Sequence, residues 1–218
     1  MQLSHQNIVF DLDGTLTNSA PGIYRSVKWA LARMNYPEPR PELLRKFIGP
    51  PIYDSLISIC KMAPDQAEQT VHYYHDIYTA EGVYENEIYP DILALLTTLK
   101  DMGAVLAVAT SKPESGTMKI LEQYKLAPFF PVISAADESE QQNDKKGLIL
   151  TALSKIGCTP QDAVMIGDTK YDAEGSRLAG TNFVGVLYGF GTKAEMEQEG
   201  AALFAKTAGE LLSKLTSD

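Results

Sequence analysis

Two aspartates, Asp11 and Asp13, directly follow the apolar run Ile8-Val9-Phe10. Where a strand ends and the chain curls, residues i and i+2 can face one pocket, so one carboxylate can attack while the other handles protons. Asp13-Gly14 also reads as a plain turn signal whose acids are simply solvated. A second pair, Asp168 and Asp172, follows the run Ala163-Val164-Met165-Ile166. A short carboxylate loop opposite another carboxylate is what a hard, oxygen-seeking cation such as Mg²⁺ requires; the same loop could instead cap the following helix. Thr110 and Ser111 follow a third apolar run, and a Thr hydroxyl with the next backbone N–H can hold a phosphate oxygen or cap a helix. Lys145 and Lys146 precede Leu148, Ile149, Ala152 and Leu153. The offset of that helical pattern favours Lys146 as the inward cation, with Lys145 the alternative and an exposed charge the plain reading.

These residues need a scaffold that brings them together. Residues 8–10 predict a short buried strand. From Pro21 the pattern Ile23, Val27, Leu31, Met34 is helical, and the chain stays helical to about Glu87, broken by Pro37, Pro39, Pro41 and Pro50-Pro51. After Pro90 the pattern changes. Asp91 predicts a cap for a helix through Ile92, Leu95, Leu96 and Leu99 that stops at Gly103. The continuous apolar run 104–109 then suits a parallel strand covered on both faces. Further strands are expected near 132–133, 163–166 and 183–186, separated by helices from about Glu114, Lys146 and Ala173, with the last helices near 193–198 and 210–214. This alternation predicts an α/β doubly wound parallel sheet spanning 1–16 and 88–218, with a helical insertion at 17–87. In such sheets the active crevice lies at the carboxyl ends of the strands, where all of these acids, the hydroxyl and the lysine fall.

Bulk properties narrow the partners. A formal charge of -9 argues against a nucleic acid polymer, which needs clustered Lys and Arg. It leaves room for a small anion, since one bound cation and a lysine can reverse the local field. The start, Met1-Gln2-Leu3-Ser4-His5-Gln6-Asn7, lacks the basic and long apolar run of a signal peptide, and no stretch approaches a membrane span. Cys60 and Cys158 form no C-x-x-C pair and read as reduced thiols, so a cytoplasmic location is expected. His72 and His75 stand one helical turn apart without a third ligand, which reads as a solvated face. Gly185, Gly189 and Gly191 follow a strand without forming a dinucleotide fingerprint, and loop flexibility accounts for them.

Together, Asp11-Leu12-Asp13-Gly14-Thr15 after an apolar strand and Gly167-Asp168-x-x-x-Asp172 further on resemble the haloacid dehalogenase superfamily, along the whole chain. The resemblance implies that Asp11 attacks phosphorus and that Asp13 protonates the leaving alkoxide and then activates water. It implies that Thr110, Ser111 and Lys146 bind the phosphoryl group, that Asp11, the Asp13 carbonyl and Asp168 hold Mg²⁺, and that Asp172 supports the metal. Many relatives carry Lys-Pro where this chain has Lys145-Lys146-Gly147, so Lys145 stays open. An acid at Asp13 favours hydrolysis of a phosphate monoester over dehalogenation, because a halide leaves without a proton; a phosphomutase is the nearest rival.

The insertion at 17–87 resembles a small cap that closes over the site, with Thr17 to Pro21 and about Val83 to Tyr89 as hinges. The stretches 47–51, 84–86, 109–113 and 188–191 resemble bacterial 5′-nucleotidases, a branch similar to phosphoglycolate phosphatases. A small phosphorylated metabolite is therefore expected as partner, the chain acting as monomer or dimer. Arg45, Lys46 and Gly49 are the cap candidates for substrate contact, with Arg25 and Lys112 as further candidates or plain surface charges. A non-catalytic phospho-responsive binding protein would share the acids, hydroxyl and lysine. A receiver-type domain of that kind is shorter, lacks a helical insert and takes its aspartate from a later strand.

Overall fold

The computed structural model describes residues 2–137 and 144–217. In chain order its main elements are β1 (Asn7–Phe10), α1 (Ala20–Arg33), α2 (Ile52–Cys60), α3 (Pro64–Ala80), α4 (Ile92–Asp101), β2 (Val105–Pro113), α5 (Glu114–Gln123), β3 (Val132–Ala136), α6 (Lys145–Ile156), β4 (Ala163–Gly167), α7 (Lys170–Ala179), β5 (Asn182–Val186), α8 (Lys193–Gln198), β6 (Leu203–Ala205) and α9 (Ala208–Leu215). The chain divides into two compact units, Met1–Thr17 with Ile88–Asp218, and Asn18–Glu87.

The larger unit is a doubly wound α/β fold. Its six strands run parallel in the order β3-β2-β1-β4-β5-β6. Strand β1 lies inside the sheet between β2 and β4, and its apolar residues Ile8, Val9 and Phe10 are each fully buried. Phe10 pairs in register with Val108 on one side and Ile166 on the other. Since side chains alternate across a strand, Val9, Ala107 and Met165 share one face, where they join a core cluster with Leu148, Ile149, Ala152 and Leu153 of α6. On β1 Phe10 points the other way and meets the Phe130 ring edge-on at 6.1 Å. The chain builds the sheet outward from β1 to β3, then returns to β1's other side with β4. That reversal opens a crevice between the carboxyl ends of β1 and β4.

Local signals explain most element boundaries. Helix α6 begins at Lys145 because the Asp144 side chain accepts the Gly147 N–H at 2.5 Å, and it ends at Gly157 in the left-handed region. Helix α7 starts at Lys170, a turn earlier than the apolar pattern predicts, because Thr169 and Asp172 form a reciprocal capping box. Asp91 precedes α4 but is itself left-handed and its side chain makes no capping bond, contrary to expectation. Strand β6, only three residues long, escapes the apolar-run criterion altogether. Strand β2 runs past Thr110 to Pro113, with its register to β3 shifting over that stretch.

The smaller unit is helical. Ile23, Val27, Ala30 and Leu31 on α1 and Ala67, Thr70, Tyr74 and Tyr78 on α3 form its buried faces. Gly22 touches backbone: a Cβ there would lie 1.9 Å from the Gly82 carbonyl oxygen, and the Gly22 N–H donates to Glu85 O at 3.0 Å. Arg25 is paired with Glu81 and Glu85, which ties it to its own unit rather than offering it to a ligand. Phe47 and Ile48 are buried, Gly49 has φ +108°, and Arg45 and Lys46 are exposed. No described helix is long and apolar enough to cross a membrane.

Candidate active site

Each acid of the site is placed by a strand end. The Asp11 N–H donates to Ile166 O at 2.9 Å, so the last ladder bond between β1 and β4 sets the first acid. Asp168 follows Gly167, the last residue of β4, by one position, and Asp172 lies in the first turn of α7. One carboxylate oxygen from each of Asp11, Asp168 and Asp172 lies within 4.8 Å of the others, and all three residues are buried. Asp172 is therefore both helix cap and site residue: its Oδ2 accepts from the Thr169 N–H and hydroxyl at 2.9 and 2.7 Å, while Oδ1 faces Lys145 Nζ at 2.8 Å.

Lys145 is the cation at this centre. Its ammonium donates to Asp11 Oδ1 at 2.5 Å and to the Ala109 carbonyl at 3.2 Å. Lys146, the lysine that the helical offset favours, is exposed instead. The reason is local: the Asp144 cap makes Lys145 the first residue of α6, and Gly175 on α7 leaves room for it. A Cβ on Gly175 would lie 2.6 Å from Lys145 Cγ. Thr110 is buried, with its hydroxyl accepting the Lys112 N–H at 3.2 Å, and Ser111 is half-buried in the irregular end of β2.

Asp13 stands apart from the three-acid cluster and pairs with Lys112 Nζ at 2.7 Å through Oδ2. Lys112 is thus neither a surface charge nor a freely projecting substrate contact. The signal for this pairing was its position two residues after Thr110, at the same strand end. The stretch 188–191 after β5 carries part of the resemblance, but its contact with Asp168 is not expected from the sequence. The Phe190 N–H donates to Asp168 Oδ2 at 2.7 Å, Thr15 donates its hydroxyl to Asp168 Oδ1 at 3.3 Å, and Tyr188 donates to Thr15 O at 3.0 Å. Gly189 and Gly191 serve close approach here, not flexibility. A Cβ on Gly189 would fall 2.4 Å from Asp168 Oδ2 and from Gly14 O, and one on Gly191 2.2 Å from Asp168 O.

The electrostatics follow from this crowding. Burial, together with the Asp172 and Asp13 charges, outweighs Lys145 and pushes the Asp11 carboxyl up to about 7. Burial, then Asp172 and Asp11, holds Asp168 well above the usual carboxylate range. Burial pulls the Lys145 ammonium down, but the Asp11 and Asp172 charges more than offset it and raise the group above an ordinary lysine. Three buried acids share one ammonium, and Asp168's hydrogen-bond donors, Thr15 and Phe190, are neutral. This donor set fits a hard divalent cation. Oxygens around Mg²⁺ at about 2.1 Å lie up to about 4.2 Å apart, close to the spread of these three. Among the described residues this is the only acid, His or Cys group with that geometry, and His72 and His75 are not part of one.

Residues 8–186 match the family model described as haloacid dehalogenase-like hydrolase. The chain belongs to the haloacid dehalogenase-like hydrolases. Among its family relatives, the 5′-nucleotidase of Pseudomonas aeruginosa is 36% identical over 194 residues, covering 89% of this chain and 88% of its own. The tyrosine-protein kinase PtkA of Mycobacterium tuberculosis is 35% identical over 188 residues, and this haloacid dehalogenase-like chain spans 64% of PtkA's length. The crystal structure of a predicted phosphatase from Clostridium acetobutylicum superposes with a TM-score of 0.92 at 38% identity, covering 96% of this chain and 97% of its own. Within the haloacid dehalogenase-like hydrolases this chain is a phosphatase, a phosphoric monoester hydrolase.

Proposed function

We propose that the protein hydrolyses small phosphate monoesters with Mg²⁺ and through an aspartyl-phosphate on Asp11, and that nucleoside 5′-monophosphates are its substrate class. The observation that carries the reading is the buried cluster of Asp11, Asp168 and Asp172 around Lys145 at the reversal point of the sheet. Asp11, the Asp13 carbonyl and Asp168 would hold the ion, with Asp172 in support. Bound there, Mg²⁺ neutralises the repulsion between an anionic nucleophile and an anionic substrate.

The protein groups then divide the remaining work. Lys145, the Thr110 hydroxyl and the Ser111 N–H hold the equatorial phosphoryl oxygens, because phosphoryl transfer needs alignment and charge neutralisation more than covalent help. A Thr110 hydroxyl that accepts the Lys112 N–H still has its own proton to donate. A carboxylate of Asp11 attacks phosphorus in line with the leaving oxygen, and Asp13 supplies that oxygen with a proton. Asp13 then takes a proton from the water that hydrolyses the Asp11 ester. The unit 18–87 acts as a cap that excludes water and selects the leaving group, with Arg45, Lys46 and Gly49 as its contact candidates. The substrate class rests on the 5′-nucleotidase relative and on the resemblance of the stretches 47–51, 84–86, 109–113 and 188–191. Phosphoglycolate is the alternative substrate, and a mutase reaction the more distant one.

A panel of nucleoside monophosphates, phosphoglycolate and sugar phosphates, assayed with Mg²⁺ and after chelation, tests this. Turnover is expected only with metal, with the highest kcat/KM on a nucleoside 5′-monophosphate. No turnover with metal, or full turnover after chelation, ends the enzyme mechanism. A preference for phosphoglycolate transfers the substrate assignment to the alternative.

A further inference from the structure

Among the described residues, Asp13 is held by one oxygen only. Its Oδ2 accepts from Lys112 Nζ at 2.7 Å, and the two side chains are shielded from water, with 15% and 4% of their surfaces exposed. Its Oδ1 is buried and has no hydrogen-bond partner among the described residues. A buried carboxylate oxygen without a donor is unfavourable, and such atoms persist where a site uses them. Lys112 is itself fixed along its length. Its N–H donates to Thr110 Oγ1 at 3.2 Å and its carbonyl accepts from Thr117 Oγ1 at 3.3 Å. Its stem lies along Gly116, where an added Cβ would be 3.5 Å from Lys112 Cγ.

We propose that Lys112 is a positioning residue for proton transfer, clamping Oδ2 of Asp13 so that Oδ1 is the oxygen that exchanges protons with the leaving group and with water. The inference rests on the reading of Asp13 as the acid and base. In the first step the Asp11 oxygen–phosphorus bond forms, the bond from phosphorus to the leaving oxygen breaks, and the proton on Oδ1 moves to that oxygen. In the second, water bonds to phosphorus, one of its protons returns to Oδ1, and the Asp11 oxygen–phosphorus bond breaks. Asp13 never bonds phosphorus and Lys112 never touches the substrate. Proton transfer depends on distance and alignment, so a carboxylate free to swing loses rate where a proton is needed and little elsewhere.

The test compares Lys112→Met, Asp13→Asn and the double variant on an alkyl phosphate and on 4-nitrophenyl phosphate, both with saturating Mg²⁺. For Lys112→Met we expect kcat on the alkyl ester to fall about 10- to 100-fold with KM within about 3-fold, and the loss on the aryl ester to be several-fold smaller because nitrophenolate leaves without a proton. Lys112→Met on top of Asp13→Asn is expected to add nothing, and Lys112→Arg to recover most of the alkyl-ester rate. Equal losses on the two esters, or a loss expressed in KM, would make Lys112 a substrate contact and overturn the proposal. If Asp13→Asn fails to discriminate between the esters, the acid–base reading of Asp13 falls and this inference with it. If Asp13→Asn discriminates and Lys112→Met does not, only the role of Lys112 falls. Should Lys112→Met lose its far-ultraviolet circular dichroism, Lys112→Gln, polar and shorter by one atom, runs the same comparison.

Discussion

At the residue scale, the two neighbouring lysines carry opposite expectations. Lys145 pairs with Asp11 and Asp172 at 2.5 and 2.8 Å, whereas Lys146 is exposed. Lys145→Ala should reduce kcat/KM by about 100-fold or more, as for removal of a group that neutralises transition-state charge. Lys146→Ala should stay within about 2-fold of the parent, consistent with an exposed substitution. Steady-state kinetics on one ester measures both, and a large loss in Lys146→Ala would reverse the assignment. Asp11→Asn should remove essentially all turnover, several orders of magnitude, with an unchanged circular dichroism spectrum. A tenth of the rate remaining would remove Asp11 as the nucleophile. The residue types and spacing made the acids legible in advance, but the choice between Lys145 and Lys146 was not. An apolar pattern of Leu148, Ile149, Ala152 and Leu153 accommodates either lysine, and only the Asp144 cap and the space beside Gly175 decide it.

At the element scale, the loop after β5 acts as a brace for the fourth-strand acid. Backbone of residues 189–191 packs directly on Asp168 and Gly14, and the Phe190 N–H orients Asp168 Oδ2. Outer groups that orient a ligand commonly affect metal affinity by about 10- to 100-fold. Gly189→Ala, which would force a Cβ to 2.4 Å from Asp168 Oδ2, should therefore raise the Mg²⁺ concentration for half-maximal thermal stabilisation by about 10-fold or more. Tyr188→Phe, which removes only the bond to Thr15 O, should give a smaller shift in the same direction. Unchanged Mg²⁺ midpoints in both variants would show that the loop is mere packing. The glycine spacing suggested a flexible connection because periodicity reports nothing about which distant backbone lies alongside.

At the scale of the whole molecule, the site opposes the stability of the fold around it. Asp11, Asp168 and Asp172 are buried together around one ammonium, and the crowding disfavours the ionised forms of Asp11 and Asp168. Mg²⁺ should raise the melting temperature, by about 5–10 °C at a hundred times its Kd for a chain of this size. Asp168→Asn should abolish that rise while melting higher than the parent in the absence of metal, since it removes one of three crowded acids. Differential scanning calorimetry with and without chelator checks both statements. A variant that melts lower without metal would mean that Asp168 contributes more through its bonds to Thr15 and Phe190 than it loses by repulsion.

Local patterning specifies the strand–helix alternation, the short buried strand at residues 8–10, and the set of strand-end residues available for chemistry. Those features follow from local periodicity and from the burial demanded by continuous apolar runs. Tertiary packing settles which lysine enters the site, that Lys112 holds Asp13, that Asp172 serves as cap and site residue together, and that the loop 188–191 closes on Asp168. Each of those involves a contact between segments far apart in the chain, even where a local cap helps to set it. Such contacts depend on side-chain direction and on a few tenths of an ångström of space beside a glycine, which no local pattern of residue types encodes.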